Sequence, residues 1–233
     1  MTSAERHAVY FAPAHGSPWW HFGAQWLGRA DDQPHPTALA SADEAVTAPA
    51  RRYGFHATLK APMRLREGAS PAQLLIALQA VAARCVPVCL APLKLVWRHG
   101  FVALEPAALT AEAQHQLAQI EAACVMELDG FRAPLSDSEL ARRQAAAPLD
   151  ATAQALLQRW GYPQVLERFR FHLTLTAPVD EPVAQAVMAE LAPQVQALNA
   201  ASPLWLDRLC LFVEPAPGAA LLRSAEVVLP APR

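Results

Sequence analysis

Residues 52–62 read RYGFHATLKAP, and residues 168–178 read RFRFHLTLTAP. Seven of the eleven positions are identical: Arg52/Arg168, Phe55/Phe171, His56/His172, Thr58/Thr174, Leu59/Leu175, Ala61/Ala177 and Pro62/Pro178. The offset is 116 residues throughout, with no gap. Chance gives two or three matches in an alanine-rich chain. Seven that include a histidine mark a duplicated fold. Alternate side chains of a strand face opposite ways. If Phe55, Ala57 and Leu59 point to a core, His56, Thr58 and Lys60 point away from it. In the second copy Phe171, Leu173 and Leu175 go in, while Arg170, His172, Thr174 and Thr176 come out. Each copy then offers an imidazole and a hydroxyl two residues apart on a non-core face, which packing alone does not require.

Outward from the two motifs, the order of elements repeats as well. After the first motif strand, read over 55–61, Ser70-Pro71 caps a helix to about Arg84. Strands follow at 93–97 and 101–105, joined by a turn at Arg98-His99-Gly100. After the second motif, read as a strand over 169–177, a helix runs from about Glu181 to Leu198, followed by strands at 204–213 and 220–229. Between the copies, residues 110–160 read as three helices, the second opened by a capping box from Ser136 to Glu139. Before them come a strand at 7–12 and a helix at 18–27 whose Trp19, Phe22 and Trp26 share one face. Residues 29–50 show no period and read as a loop. The expected architecture is α+β in a single bilobal domain. A first lobe at about 51–106 and a second at about 167–233 flank a helical insert at about 107–166, with residues 1–50 packing on the lobes.

Composition bounds the function. The 233 residues carry 19 Lys+Arg against 21 Asp+Glu, a net charge of -2, which excludes a protein that holds nucleic acid by bulk charge. Fifty residues are Ala, so the 53% hydrophobic fraction overstates the large core side chains. The cysteines Cys85, Cys89, Cys124 and Cys210 form no CxxC pair and read as small hydrophobes. The opening MTSAERHAVYFAPA lacks a basic region followed by a long apolar run. The most apolar helical stretch is about half the length that spans a bilayer. A cytoplasmic protein with no membrane association is expected.

The charge is unevenly placed. Between Arg51 and Arg66 there are five basic residues and no acidic one. Continued alternation would set Arg52, Arg168 and Arg170 on the histidine face, with Lys60 beside Thr58. Tyr53 and, from the loop before the capped helix, Arg132 are further candidates. Imidazole gives or takes a proton near neutral pH, and a pseudo-symmetric pair can flank one reacting centre as base and acid. Phosphoryl transfer uses such a pair, with the threonine hydroxyls donating to phosphate oxygens. Two histidines fall short of the three protein ligands of a catalytic zinc, and there is no HExxH, GxSxG, GxGxxG or Walker loop. No metal or other cofactor is expected.

The paired His-x-Thr strands resemble the 2H phosphoesterase superfamily, which includes bacterial RNA 2′-5′ ligases and cyclic nucleotide phosphodiesterases. A closer resemblance is to a branch associated with phosphonate metabolism. It is carried by YFAPAHGSPWW and WLGR near the start, RRYGFHATLKAP, FRAPLSDSELARR, WGYPQVLERFRFHLTLTAP and LCLFVEP. The resemblance implies two antiparallel sheets around a central cleft, with metal-independent chemistry on a cyclic phosphate or 2′,5′-phosphodiester. It implies that His56 and His172 are the acid–base pair and that Thr58 and Thr174 hold the phosphate. The long separation of the motifs disfavours RNA ligation and favours a small substrate. The link to phosphonates suggests a ribose cyclic phosphate opened by water. The competing expectations are a 2′,3′-cyclic nucleotide or RNA-end phosphodiesterase, and a non-catalytic receptor for phosphorylated ligands. A monomer is expected, because the duplication builds both sides of the site within one chain.

Overall fold

The computed structural model describes residues 5–36, 44–145 and 148–231. In chain order the elements are β1 (Arg6–Phe11), α1 (Pro18–Leu27), α2 (Glu44–Tyr53), β2 (Ala57–Met63), α3 (Pro71–Ala82), β3 (Val88–Cys89), β4 (Leu93–Arg98) and β5 (Phe101–Pro106). Then come α4 (Ala111–Glu127), α5 (Asp137–Ala145), α6 (Ala151–Trp160), β6 (Leu173–Thr174), α7 (Glu181–Ala201), β7 (Trp205–Leu206), β8 (Arg208–Glu214) and β9 (Leu222–Val228). The chain is α+β with antiparallel sheets. The run from β2 to β5 and the run from β6 to β9 follow the same order of strand, helix and three strands.

The helix ends are where the capping residues place them. Ser17, Ser70, Thr110, Asp150 and Asp180 each accept a backbone N–H of the first turn. Gly28 and Gly161 close α1 and α6 in the left-handed conformation. Two expectations are corrected. The stretch read as a loop contains α2, whose inward face buries Thr47 and Arg51 beside the small Ala50 and so shows little apolar period. Arg51 donates to the Leu27 carbonyl, Glu44 and Thr47, and hydrophobic periodicity is blind to a face buried by hydrogen bonds. Residues 37–43 of that stretch lie outside the described residues. The second motif strand is two residues long rather than nine. Thr176 is buried, and its hydroxyl accepts the Val102 N–H at 2.9 Å, so a side chain takes a ladder bond and the chain leaves the sheet.

Among the described residues three sheets result, ordered β2-β1-β8-β9, β4-β5-β6 and β3-β7. Their membership crosses the duplication. The first motif strand shares a sheet with the hairpin of the second copy, and the second motif strand pairs with the hairpin of the first. The copies meet again where Val88 faces Leu206 and Cys89 faces Trp205. One core joins them. Phe22 of α1 lies edge-on to Phe55 at 5.7 Å, Phe11 lies 5.9 Å from Phe171, and the Trp26 indole donates to the Leu175 carbonyl at 2.9 Å. Gly23 permits the close approach, since a Cβ there would meet the Phe55 ring at 2.2 Å. Among the described residues no helix is long and apolar enough to cross a membrane.

Candidate active site

The two motif strands bring His56, Thr58, His172 and Thr174 into one open cleft of about 370 Å³ between the four-stranded and three-stranded sheets. Phe55, Ala57 and Leu59 are buried behind the first pair, and Phe171, Leu173 and Leu175 behind the second. Burial of the odd-numbered residues thus turns the imidazole and hydroxyl of each motif outward.

Each imidazole is oriented in the same way. Nδ1 of His56 donates to the Gly54 carbonyl at 2.9 Å, and Nδ1 of His172 donates to the Arg170 carbonyl at 2.8 Å. A carbonyl only accepts, so the proton of each neutral ring sits on Nδ1 and the lone pair on Nε2. Gly54 ends α2 at φ +80°, and a Cβ there would also lie 3.1 Å from Asp31, so both backbone and space call for glycine. The Thr58 hydroxyl lies 3.3 Å from Nε2 of His56, to which it donates when that nitrogen is unprotonated.

The surroundings of the two rings differ. His56 stacks on Tyr10 with centroids 3.9 Å apart, and Tyr53 lies parallel at 6.1 Å. Burial pushes its pKa down to about 4. The Gly54 bond opposes the shift, while the charges of His172 and Arg29 add to it. His172 lies 5.8 Å from the tilted ring of Phe101.

Other candidates lie elsewhere. Lys60 is buried, donating to the Val125 carbonyl at 2.8 Å and to Asp129 at 3.3 Å. The cause is a bulge: Tyr10 faces Thr58 but Val9 faces Lys60, so the register slips between them and the alternation breaks. Arg132 forks onto the Asp129 carboxylate. Arg168 pairs with Asp150 at 2.8 Å, and Arg170 donates to the carbonyls of Glu167 and Phe169. Arg52 sits behind the wall, where it pairs with Glu214 and covers the Tyr53 ring at 5.1 Å. Tyr53 lines the cleft.

Beside Ala61 and Pro62 of the first motif, five further lining residues were not singled out from the sequence: Arg6, Tyr10, Arg142, Arg143 and Tyr162. The alternation of β1 places Arg6 and Tyr10 on one face and was the available signal. Glu214 is fully buried and accepts hydrogen bonds from Arg6, Arg52 and the Gly218 N–H. Burial pushes its carboxyl up, but the Arg6 hydrogen bond and the other donors outweigh it, holding it below its ordinary value. Arg142 and Arg143 come from α5, in the insert. Among the described residues no group of three or more His, Cys, Asp or Glu is placed to hold a metal ion.

A family model described as a protein of unknown function, DUF1045, matches residues 58–222. A ribose 1,5-bisphosphate phosphokinase PhnN from Janthinobacterium sp. (strain Marseille) is 38% identical over 227 residues, covering 93% of this chain and 49% of the relative. A protein of the same name from Laribacter hongkongensis (strain HLHK9) is 38% identical over 221 residues, covering 92% and 50%. The chain thus spans about half the length of the curated relatives it matches. Among solved structures, E. coli LigT complexed with 3′-AMP aligns with a TM-score of 0.38 and 12% identity over 97% of this chain and 98% of that one. Kluyveromyces marxianus Usb1 aligns with a TM-score of 0.37 and 11% identity over 95% and 98%.

Proposed function

The chain belongs to the DUF1045 family, and we propose that it is a phosphodiesterase that opens a small cyclic phosphate by acid–base catalysis with its two histidines. The observation that carries this is the matched pair of imidazoles in one cleft, each with Nδ1 tied to a carbonyl and each with a threonine hydroxyl at the second residue on. Packing alone supplies no reason for either repetition.

The chemistry follows from the arrangement. With the cyclic phosphate between the rings, Nε2 of His56 takes a proton from a water molecule as its oxygen bonds to phosphorus. The bond from phosphorus to one ring oxygen breaks, and Nε2 of a protonated His172 gives that oxygen its proton. The product is a phosphomonoester beside a free hydroxyl. His56 takes the base role because burial keeps it neutral down to about pH 4. The Thr58 hydroxyl turns from Nε2 to a phosphate oxygen, and Thr174 donates from the other side.

The relatives' name supports a sugar substrate. Opening a ribose cyclic phosphate leaves a ribose phosphomonoester, the class of compound that a ribose 1,5-bisphosphate phosphokinase takes. The kinase activity itself is assigned to the other half of those relatives, because this chain contains no GxxxxGK[ST] phosphate loop.

The test is hydrolysis of small cyclic phosphates, pentose and nucleoside, by wild type, His56→Ala and His172→Ala. Turnover of a pentose cyclic phosphate that falls at least about 100-fold in either variant supports the proposal. Preference for a nucleoside 2′,3′-cyclic phosphate would favour the nucleotide phosphodiesterase reading. Binding without turnover would favour the receptor.

A further inference from the structure

Most arginines of this chain are neutralised. Arg6 and Arg52 share Glu214, Arg64 pairs with Glu139, and Arg168 pairs with Asp150. Arg142 and Arg143 are exceptions, since no carboxylate among the described residues lies within ion-pair distance of either, and both line the cleft. Arg142 is exposed. Arg143 is half-buried, its guanidinium 5.6 Å over the Tyr162 ring and its Nη2 3.4 Å from the Pro62 carbonyl.

The helix that carries them is fixed. The Ser136 hydroxyl accepts the Glu139 N–H, the Ser136 N–H donates to the Glu139 carboxylate, and Arg64 of the β2 end clamps the same carboxylate at 2.9 Å. Arg143 is therefore held at the cleft before any ligand arrives, with the exposed Arg142 beside it on the same helix. Because β2 shifts register twice against β1, the five steps from Thr58 to Met63 span only the three from Tyr10 to His7, so Pro62 lies under about 10 Å from Thr58. The Pro62 carbonyl that holds Arg143 is thus a different point of the cleft from the Thr58 hydroxyl, near enough for one small ligand to touch both. A cleft of about 370 Å³ has room for a metabolite between the two points.

We propose that Arg142 and Arg143 form a second anion subsite, which takes a phosphomonoester on the same substrate whose cyclic phosphate lies between His56 and His172. The substrate is then a small sugar bearing both groups. The assignment of the first subsite rests on the function proposed above. Guanidiniums bind a dianionic phosphate by paired, charge-assisted hydrogen bonds, and a ligand lacking that group leaves them uncompensated.

Two measurements test this. The first compares kcat/KM for a pentose cyclic phosphate with and without a phosphomonoester on its far carbon. Wild type prefers the phosphorylated form by at least about tenfold, and Arg142→Ala/Arg143→Gln loses most of that ratio. A wild-type ratio near one, or an equal loss on both substrates, overturns the subsite. The second is calorimetric binding of ribose 5-phosphate. It binds wild type and His56→Ala/His172→Ala alike, and the arginine variant at least about tenfold more weakly. If no cyclic phosphate is turned over but this binding still requires the arginines, the catalytic reading fails and the subsite stands. If the binding is indifferent to the arginines, the subsite fails.

Discussion

The His56 imidazole lies against the Tyr10 phenol ring, centroids 3.9 Å apart and planes 29° from parallel. The stacked ring keeps water from one face of the imidazole, and burial is the main reason its pKa sits near 4. Removing the cover in Tyr10→Ala raises the pKa toward the ordinary value of 6.5, whereas Tyr10→Phe leaves it low. NMR titration of the His56 ring carbon measures both.

The same shift sets a pH dependence of stability. Between pH 6.5 and about 4 the unfolded chain binds a proton at His56 that the folded chain does not. The contribution of His56 is therefore intact above 6.5 and is lost as the pH falls toward 4. Urea unfolding across that range loses stability more steeply in wild type than in His56→Gln.

With the neutral His56 as base, as proposed, kcat/KM is expected to hold as the pH falls from neutrality and to drop with an apparent pKa near 4. An acid limb near 6.5 would assign the titration to another group. Thr58→Val and Thr174→Val each lower kcat by about 10- to 100-fold, the worth of one hydrogen bond to a charged phosphate. Steady-state kinetics on the best cyclic phosphate reads both.

Glu214 is fully buried and accepts from two arginines and a backbone N–H. Glu214→Ala leaves Arg6 and Arg52 without their carboxylate and destabilises the fold by about 3 kcal/mol or more. Glu214→Gln costs less, because its carbonyl oxygen still accepts. Denaturant midpoints at constant m-value separate the two.

Gly54→Ala forces φ +80° on an alanine and sets its Cβ 3.1 Å from Asp31. Gly68 has a similar φ of +78° but open space around it. Gly68→Ala is expected to cost about 1 kcal/mol from backbone strain alone. Gly54→Ala costs more and also lowers kcat, since it moves the carbonyl that aims His56. Thermal melts and kinetics on both variants check the contrast.

Much of this was legible from local chemistry. The motif residues around His56 and His172 declare their inward and outward faces, and Ser17, Ser70, Ser136, Asp150 and Gly161 mark helix ends by their capping chemistry. What was not legible depends on contacts made at a distance. Lys60 leaves the cleft because of a bulge whose partner, Val9, is about fifty residues earlier. Helix α2 hides a polar inner face. Arg142 and Arg143 come to the site on a helix whose Glu139 pairs with Arg64 at the end of β2. Tyr162, far from both motif strands in the element order, becomes cleft wall beneath Arg143.

The crossing of sheet membership over the duplication has a consequence for how the molecule comes into being. His56 leads into a strand whose sheet includes residues 208–214, and His172 leads into one that pairs with residues 103–104. Neither copy can finish its own sheet, so neither is a foldable half, and its sheet pairings span long stretches of sequence. During synthesis the first imidazole waits on the ribosome for a strand some 150 residues downstream. The sheet behind the first imidazole is complete only after residues 208–214 have emerged. A nick in the insert leaves two pieces that must find each other to form any cleft, which makes the pair a natural candidate for a split-protein reporter.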